Sequence, residues 1–495
     1  MTDQRAPQTS AAPVFHSGFC TEGARPFIML AAVLATSIGL IDGHVVAIAL
    51  PAMRNSLGAD LVEAQWIHNA YMLTLSALIL VGGAMGDRFG LGRVFCLGIA
   101  LFVVASLFCA LAPTPLFMIV SRAVQGIGAA IMVPGSLALI ARAYPRDSRG
   151  RAIGIWAAAS AVTTAAGPII GGLVLTVGGP EMWRWIFAIN LPLGGLALIL
   201  LFRNLGDDPT KADARVDVPG AVTATLALLA IAWGLTSLHH GSAAVGWLAA
   251  GSGMLVLFLW TQARSAQPMM PLTLFAVRPF WAANAMSFTL YSALSLMFFF
   301  MPMTFIAGWG LREIEAAAAF APMSVFIAAF SASAGKLADR IGPAPLLCAG
   351  SLVVAAGYAM MAILAPEQNF WGHILPAMCL VGLGMAAVAA PLSTAVMGAV
   401  DEQQSGTASG VNNAVTRMAG LISVAAAGGL AAALYSAAGG TASFGIESDT
   451  AGHPAAMTSA FSGLAWVAAA LALISAGLGW LTRSGPAPNG ADPQS

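Results

Sequence analysis

Two charged side chains sit in stretches of this chain that are otherwise apolar. Asp42 lies in the run from Phe27 to Pro51, nine positions from its end and so ~13 Å deep at the rise of a helix. Arg122 interrupts a later run, 115–142. In hydrocarbon a carboxylate is costly unless it is paired, hydrated or protonated, and a guanidinium cannot shed its charge at all. A carboxylate that can exchange a partner for a proton is a proton carrier; one held permanently by an arginine is a structural ion pair. Asp42 and Arg122 fit both readings, because displacing such a pair is itself a means of coupling. Gln125, one turn after Arg122, can share their network. His44 is two residues from Asp42 and therefore off its helical face, while His68 lies one turn into the next apolar run. The two are either a proton relay or hydrogen-bonded wall residues. Arg417 has no acid within the membrane part of its half of the chain. Either it faces a cavity beside Asn412 and Asn413, or it holds the carbonyls of a broken helix.

A second constellation is Gly82–Arg93, GGAMGDRFGLGR, with Gly83, Asp87, Arg88, Gly90 and Arg93 between two apolar runs. Glycines allow a tight turn, and Asp87 at a helix end can pair with an arginine or cap a neighbouring helix. A pair made in one conformation and broken in another would latch it. The alternative is a plain hairpin. The pattern recurs as GKLADRIG over 335–342, where Asp339 and Arg340 echo Asp87 and Arg88 at an offset of 252 positions, about half the chain. Repeats of that length point to a two-halved transporter. Gly126-Ile127-Gly128 and Gly382-Leu383-Gly384 repeat at an offset of 256.

These residues must be positioned by membrane helices. Of 495 residues, 58% are hydrophobic and 8% charged, against about 25% charged in a soluble domain, and mean hydropathy is +0.83. Runs of ~20 apolar residues are long enough to span a bilayer. Fourteen occur, at about 27–51, 64–86, 93–112, 115–142, 150–177, 185–203, 217–238, 245–263, 279–306, 314–335, 343–365, 371–397, 406–436 and 457–482. Gly428-Gly429 could break the thirteenth. With the N-terminus inside, sixteen of the 21 Lys and Arg fall on the inner side and three (Arg54, Arg184, Arg312) on the outer. That bias predicts cytoplasmic N- and C-termini in the plasma membrane. The repeats make spans 1–6 and 9–14 the two halves. The expected organisation is a tail (1–26), a six-helix bundle (27–203), a linker with two extra spans (204–278), a second six-helix bundle (279–482) and a tail (483–495). The outer loop 437–456, rich in Gly, Ser and Thr, is expected to be mobile.

The motifs resemble those of a known family. GDRFGLGR is similar to the loop signature of the major facilitator superfamily, G-x-x-x-D-R-x-G-R-[RK]. It departs at Leu91-Gly92-Arg93, which leaves one charge fewer and implies a weaker latch. LIDGHVVAIALP around Asp42, QWIHNAYML from Gln65, RAVQGIG from Arg122 and WRWIFAINLP from Trp183 resemble the signatures of its fourteen-helix drug:proton antiporters. Gly154–Gly172 resembles their fifth-span motif, with Gly167, Pro168, Gly171 and Gly172 as its core and Thr163 where glycine is usual. The resemblance implies proton exchange through Asp42 modulated by Arg122, a hinge at the glycine–proline core, and efflux rather than uptake. At the position of His44 the family commonly has a small residue.

The expectation is an all-α major facilitator fold acting, as a monomer in the lipid bilayer, as a proton-coupled antiporter that exports amphipathic, cationic compounds. An exporter of one metabolite or lipid-like compound is the alternative, and a transport-inactive sensor a third. A single membrane acid sits uneasily with polycations, and Arg122 with Arg417 would tolerate an anion or zwitterion. Glu313 and Glu315 open span 10 either as acids at a helix N-terminus or as an outer vestibule. No P-loop, no nucleophile–histidine–acid grouping and no basic patch point to an enzyme or to nucleic acid. No cofactor or metal is expected, the five cysteines lacking metal-ligand spacing.

Overall fold

Fourteen helices long and apolar enough to cross a membrane make up the computed structural model, which describes residues 19–206, 208, 210, 216–238, 241–401 and 404–483. They are α1 (Glu22–Leu57), α2 (Leu61–Phe89), α3 (Leu91–Ala110), α4 (Pro115–Ala143), α5 (Asp147–Gly178), α6 (Pro180–Asn204), α7 (Val218–Thr236), α8 (Ser242–Arg264), α9 (Arg278–Gly308), α10 (Glu313–Ile341), α11 (Pro343–Glu367), α12 (Phe370–Met397), α13 (Ser405–Ala437) and α14 (His453–Trp480). Residues 1–18 and 484–495, most of both expected tails, and Lys211 and Arg215 of the first linker lie outside the described residues.

Local chemistry sets several ends. Asp60 and Glu63 cap α2 reciprocally, each side chain accepting the other residue's backbone N–H. Thr114 caps α4, with Pro115 at its first position. The Asp217 carboxylate accepts from the Gly220 N–H (2.9 Å), Gln262 Nε2 (2.7 Å) and the Met269 N–H (3.2 Å), so one side chain joins α7, α8 and the linker beyond. Two expectations change. α1 runs past Pro51 to Leu57, because a proline deep in a membrane helix is tolerated where neighbouring helices pack around it. α13 is unbroken at Gly428-Gly429, since Gly428 is a contact surface: a Cβ there would lie 2.1 Å from Gln65 Oε1.

The helices form two six-helix bundles, α1–α6 and α9–α14, with α7 and α8 inserted between them. The glycine echoes are packing echoes. A Cβ on Gly126 would lie 2.4 Å from the Tyr71 carbonyl oxygen, and one on Gly382 2.8 Å from Met323 Cα, so the α2–α4 crossing is repeated as α10–α12. Gly128 meets Gly98 as Gly384 meets Gly350, and α3–α4 is repeated as α11–α12. The inserted α7 lies across the seam between the bundles. Its Leu228 and Ala232 share a buried cluster with Trp66, Ala70 and Leu73 of α2 and Leu421 and Ala425 of α13, and the Trp233 ring packs on Trp66 at 5.2 Å, tilted by 42°.

The face at which α1 begins carries Arg25, Arg88, Arg93 and Arg142 and is called here the basic face; Arg54, Arg184 and Arg312 lie at the far face. The largest apolar core runs through the second bundle and on into Val45–Met53 of α1 and Leu61, Ala64 and Ile67 of α2. The basic-face half of the first bundle has a core of its own. The bundles are therefore fused at the far face.

Candidate functional site

Asp42 and Arg122 meet. The Arg122 guanidinium donates through Nη1 to Asp42 Oδ2 and to Gln125 Oε1 (2.6 Å), and through Nε to the Ile67 carbonyl (3.2 Å). Gln125 Nε2 donates to Asp42 Oδ1 (2.9 Å) and to Ser106 Oγ (2.7 Å), and Asn190 Nδ2 reaches the same Ser106 oxygen (3.2 Å). The Tyr71 ring covers the guanidinium at 4.3 Å and Phe187 closes it at 5.7 Å. Asp42 is 1% exposed and Arg122 and Gln125 are fully buried. Because α1, α3, α4 and α6 each supply a polar member, the charge pair is neutralised and sealed inside the first bundle. A buried pair is retained at a cost in desolvation that hydrogen bonding of this kind offsets.

A cavity of about 410 Å³ lies beside this network, between the bundles. His44 and His68 line it from α1 and α2, with Asn413 and Arg417 from α13 and Tyr291 from α9. Phe298, Phe299, Phe320, Met323 and Met385 make up much of the rest of its wall. His44 Nδ1 is 2.8 Å from the Leu40 carbonyl, which can only accept, so Nδ1 carries a hydrogen and Nε2 is the atom His44 has left to offer. The expected set therefore divides. Asp42, Arg122 and Gln125 form the sealed network, and His44, His68, Asn413 and Arg417 face the cavity. Asn412 belongs to neither, which corrects its grouping with Asn413. Adjacent helical residues point about 100° apart, and Asn412 Nδ2 donates to Asn284 Oδ1 (3.2 Å) and Ser287 Oγ (2.8 Å), binding α13 to α9.

The cavity is shut at the far face. Arg54, 1% exposed, donates to the Phe444 carbonyl (2.6 Å), Ser443 Oγ (3.2 Å) and the Ala59 carbonyl (3.4 Å). Gln65 Nε2 donates to the carbonyl of Val424 on α13. Thr176 Oγ1 accepts from the Ile314 N–H (3.0 Å) and donates to Glu313 Oε2 (3.1 Å). Glu315 is paired with Arg312 at 3.0 Å, so neither glutamate lines the cavity. Loop 437–456 is anchored rather than free around 443–445, because Phe444 is buried against Phe300 and Tyr435. The expected hinge glycines lie on two faces of α5. Gly167 and Gly171 pack on α1, and Gly172 packs on α10, where a Cβ would be 2.8 Å from the Glu313 carbonyl oxygen. Pro168 is within the helix between them. Thr163 bonds Ser37 of α1 at 3.0 Å, a hydroxyl pair where a glycine would only have allowed contact.

The family model for the Major Facilitator Superfamily matches residues 28–424. The chain belongs to the major facilitator superfamily. Within it, the chain is 30% identical over 426 residues to the methylenomycin A resistance protein of Bacillus subtilis (strain 168), covering 83% of this chain and 89% of that one. It is 31% identical to the lincomycin resistance protein of Streptomyces lincolnensis, covering 78% and 80%. Among solved structures, a bacterial homolog of the human lysosomal transporter Spinster, in its inward-facing and unoccupied conformation, superposes with a TM-score of 0.69 at 17% identity, covering 94% of this chain and all of that one.

The superfamily's loop signature closes here as a one-residue turn. Gly90, at φ +100°, is the single residue between α2 and α3, and Gly342, at φ +83°, stands between α10 and α11 in the same way. The two turns differ in what they hold. The Asp208 carboxylate accepts from the Leu91 and Arg93 N–H groups (both 3.0 Å) and lies 3.4 Å from Arg142 Nη1, so a residue after α6 caps α3. A Cβ on Gly90 would collide with it at 2.5 Å, whereas Gly342 has open space. Asp87, Arg88, Asp339 and Arg340 are exposed at the basic face, as is Gly83, whose Cβ position is empty. Arg54, Ser106, Tyr71, Asn190 and Asp208 were not expected in these roles. Tyr71 and Asn190 lie inside quoted motifs, but nothing in the sequence signals the contacts of Arg54 and Asp208.

Proposed function

We propose that this major facilitator is a proton-coupled antiporter that exports amphipathic small molecules across the plasma membrane by alternating access. The observation that carries the reading is the separation of a sealed carboxylate–guanidinium network from an apolar cavity that adjoins it. A proton on Asp42 removes the charge that holds Arg122 Nη1. Arg122 still keeps the Gln125 oxygen, the Ile67 carbonyl and the Tyr71 face, so the guanidinium stays hydrogen-bonded when the pair opens. Proton and substrate then occupy different sites, and exchange arises because each favours a different state.

We read the basic face as cytoplasmic on the positive-inside rule and, with the far face closed, the state as inward-facing. The bundles 27–203 and 279–482 rock about the α5–α10 contact, with Gly167, Pro168, Gly171 and Gly172 as the yielding segment. Asp87, Arg88, Gly90 and Arg93, with Asp339 and Arg340, latch the cytoplasmic side when the bundles close there. One chain holds both bundles and the cavity, so the working unit is the monomer. The names of relatives, resistance proteins against methylenomycin A and lincomycin, agree with export.

The test is proton movement in proteoliposomes with a preset pH gradient, triggered by a panel of lipophilic cations, anions and neutral aromatics. Wild type exchanges protons for at least one class, and Asp42→Asn exchanges none. Undiminished exchange in Asp42→Asn refutes the role given to that carboxylate.

A further inference from the structure

We propose that the central cavity takes the anionic head of an amphipathic aromatic compound, with Arg417 as its counter-charge. This rests on reading the cavity as the transport site, and it departs from the cationic substrate expected from the sequence. The cavity's own charge decides it. Among its lining residues Arg417 carries the one fixed charge, and no Asp or Glu is present. Asp42 is hydrogen-bonded by Arg122 and Gln125 behind the wall, and Glu313 and Glu315 are engaged at the far face. A cationic ligand would meet a guanidinium and no carboxylate.

Arg417 is itself incomplete. Its half-buried side chain makes no hydrogen bond or ion pair among the described residues, although a guanidinium at membrane depth needs an anion, a carbonyl or water. It offers a planar fork of donors suited to a carboxylate or a sulfonate. Two neutral groups stand with it at the wall. The Tyr291 hydroxyl and the Asn413 side-chain amide line the same cavity, and neither is hydrogen-bonded to another described residue. Much of the rest of the wall is aromatic and thioether, with Phe298, Phe299, Phe320, Met323 and Met385. One charged corner in a greasy chamber of about 410 Å³ fits a small molecule with one acidic head and an aromatic body.

The experiment uses three probes that share one fluorophore: dansylglycine (a carboxylate), dansylglycine amide (neutral) and N-dansylethylenediamine (a cation). Each is titrated at equilibrium into purified full-length protein in lipid nanodiscs, with no pH gradient, so that a failure of proton coupling leaves the readout intact. Wild type is expected to bind the carboxylate about tenfold or more tighter than the amide, and the cation more weakly than either. In Arg417→Gln the carboxylate-to-amide ratio falls to within about twofold of one. The neutral amide and the cation still bind measurably, which reports an intact cavity. Arg417→Lys retains part of the preference, as a point charge without the fork. Binding of the cation as tightly as the carboxylate in wild type, or a carboxylate preference that survives in Arg417→Gln, overturns the proposal.

Discussion

Arg54 is the clasp of the far face, and its removal has a calculable effect. Two of its hydrogen bonds, to the Phe444 carbonyl and Ser443 Oγ, cross from the first bundle to the second; the third, to Ala59, stays within the first bundle and does not distinguish open from closed. Hydrogen bonds from a charged donor contribute about 1.5–3 kcal/mol each. When the face opens, Arg54 regains water, so the net preference for closure is nearer the value of one such bond than of two. Arg54→Met, which keeps the apolar stem, should therefore raise the open population about 10- to 150-fold. Met303, fully buried and beside Arg54 and Gly445, is the reporter. A cysteine at Met303 is labelled by a membrane-impermeant maleimide only while the far face is open. The expected result is labelling of the Arg54→Met, Met303→Cys protein faster by that factor than of Met303→Cys alone, with Arg54→Lys between them. Equal labelling rates would refute both the clasp and its assigned strength.

Further outcomes follow from the same contacts. Gly90→Ala should cost more than Gly342→Ala in thermal unfolding: both carry the left-handed strain of about 1–2 kcal/mol, but only the first also evicts the Asp208 carboxylate. Asp208→Ala should lower stability by about 0.5–2 kcal/mol, the value of a lost helix cap, and in that background the gap between Gly90→Ala and Gly342→Ala should close. Gly126→Val forces α4 from α2 against a carbonyl 2.4 Å away, and should destabilise by about 1–3 kcal/mol as an overpacked contact, read as a lowered melting temperature. Asn412→Ala should lower the melting temperature with unchanged dansylglycine affinity, because its side chain spans α13 to α9, whereas Asn413→Ala should weaken that affinity and leave melting in place.

Much of the fold was legible because a bilayer imposes simple rules. Apolar length counted fourteen spans, and the offsets between Asp87 and Asp339 and between Gly126 and Gly382 recorded the duplication now seen as matching turns and crossings. The sealed network was legible in part. Asp42, Arg122 and Gln125 stood out as polar residues in apolar runs, and their meeting is the cheapest way to bury them. Partners with nothing unusual about them stayed hidden: Ser106 is one hydroxyl among many, and Asp208 lies in a polar linker where an acid is ordinary. Arg54 looked like a charge at a helix end, since only the path of a loop nearly 400 positions away makes it a clasp. The grouping of Asn412 with Asn413 failed because neighbours in a helix point about 100° apart, so the two face different partners.

The inserted α7 has a consequence for how the bundles meet the bilayer. Two seams run between the bundles, α2 against α13 and α5 against α10. By burying Trp66, Leu73, Leu421 and Ala425 beneath Leu228 and Ala232, α7 roofs the first seam against the surrounding lipid. Among the described residues no helix roofs the second. The two seams are therefore unequal toward the bilayer: lipid can reach the junction of the bundles along the α5–α10 edge but is held off the α2–α13 edge by α7.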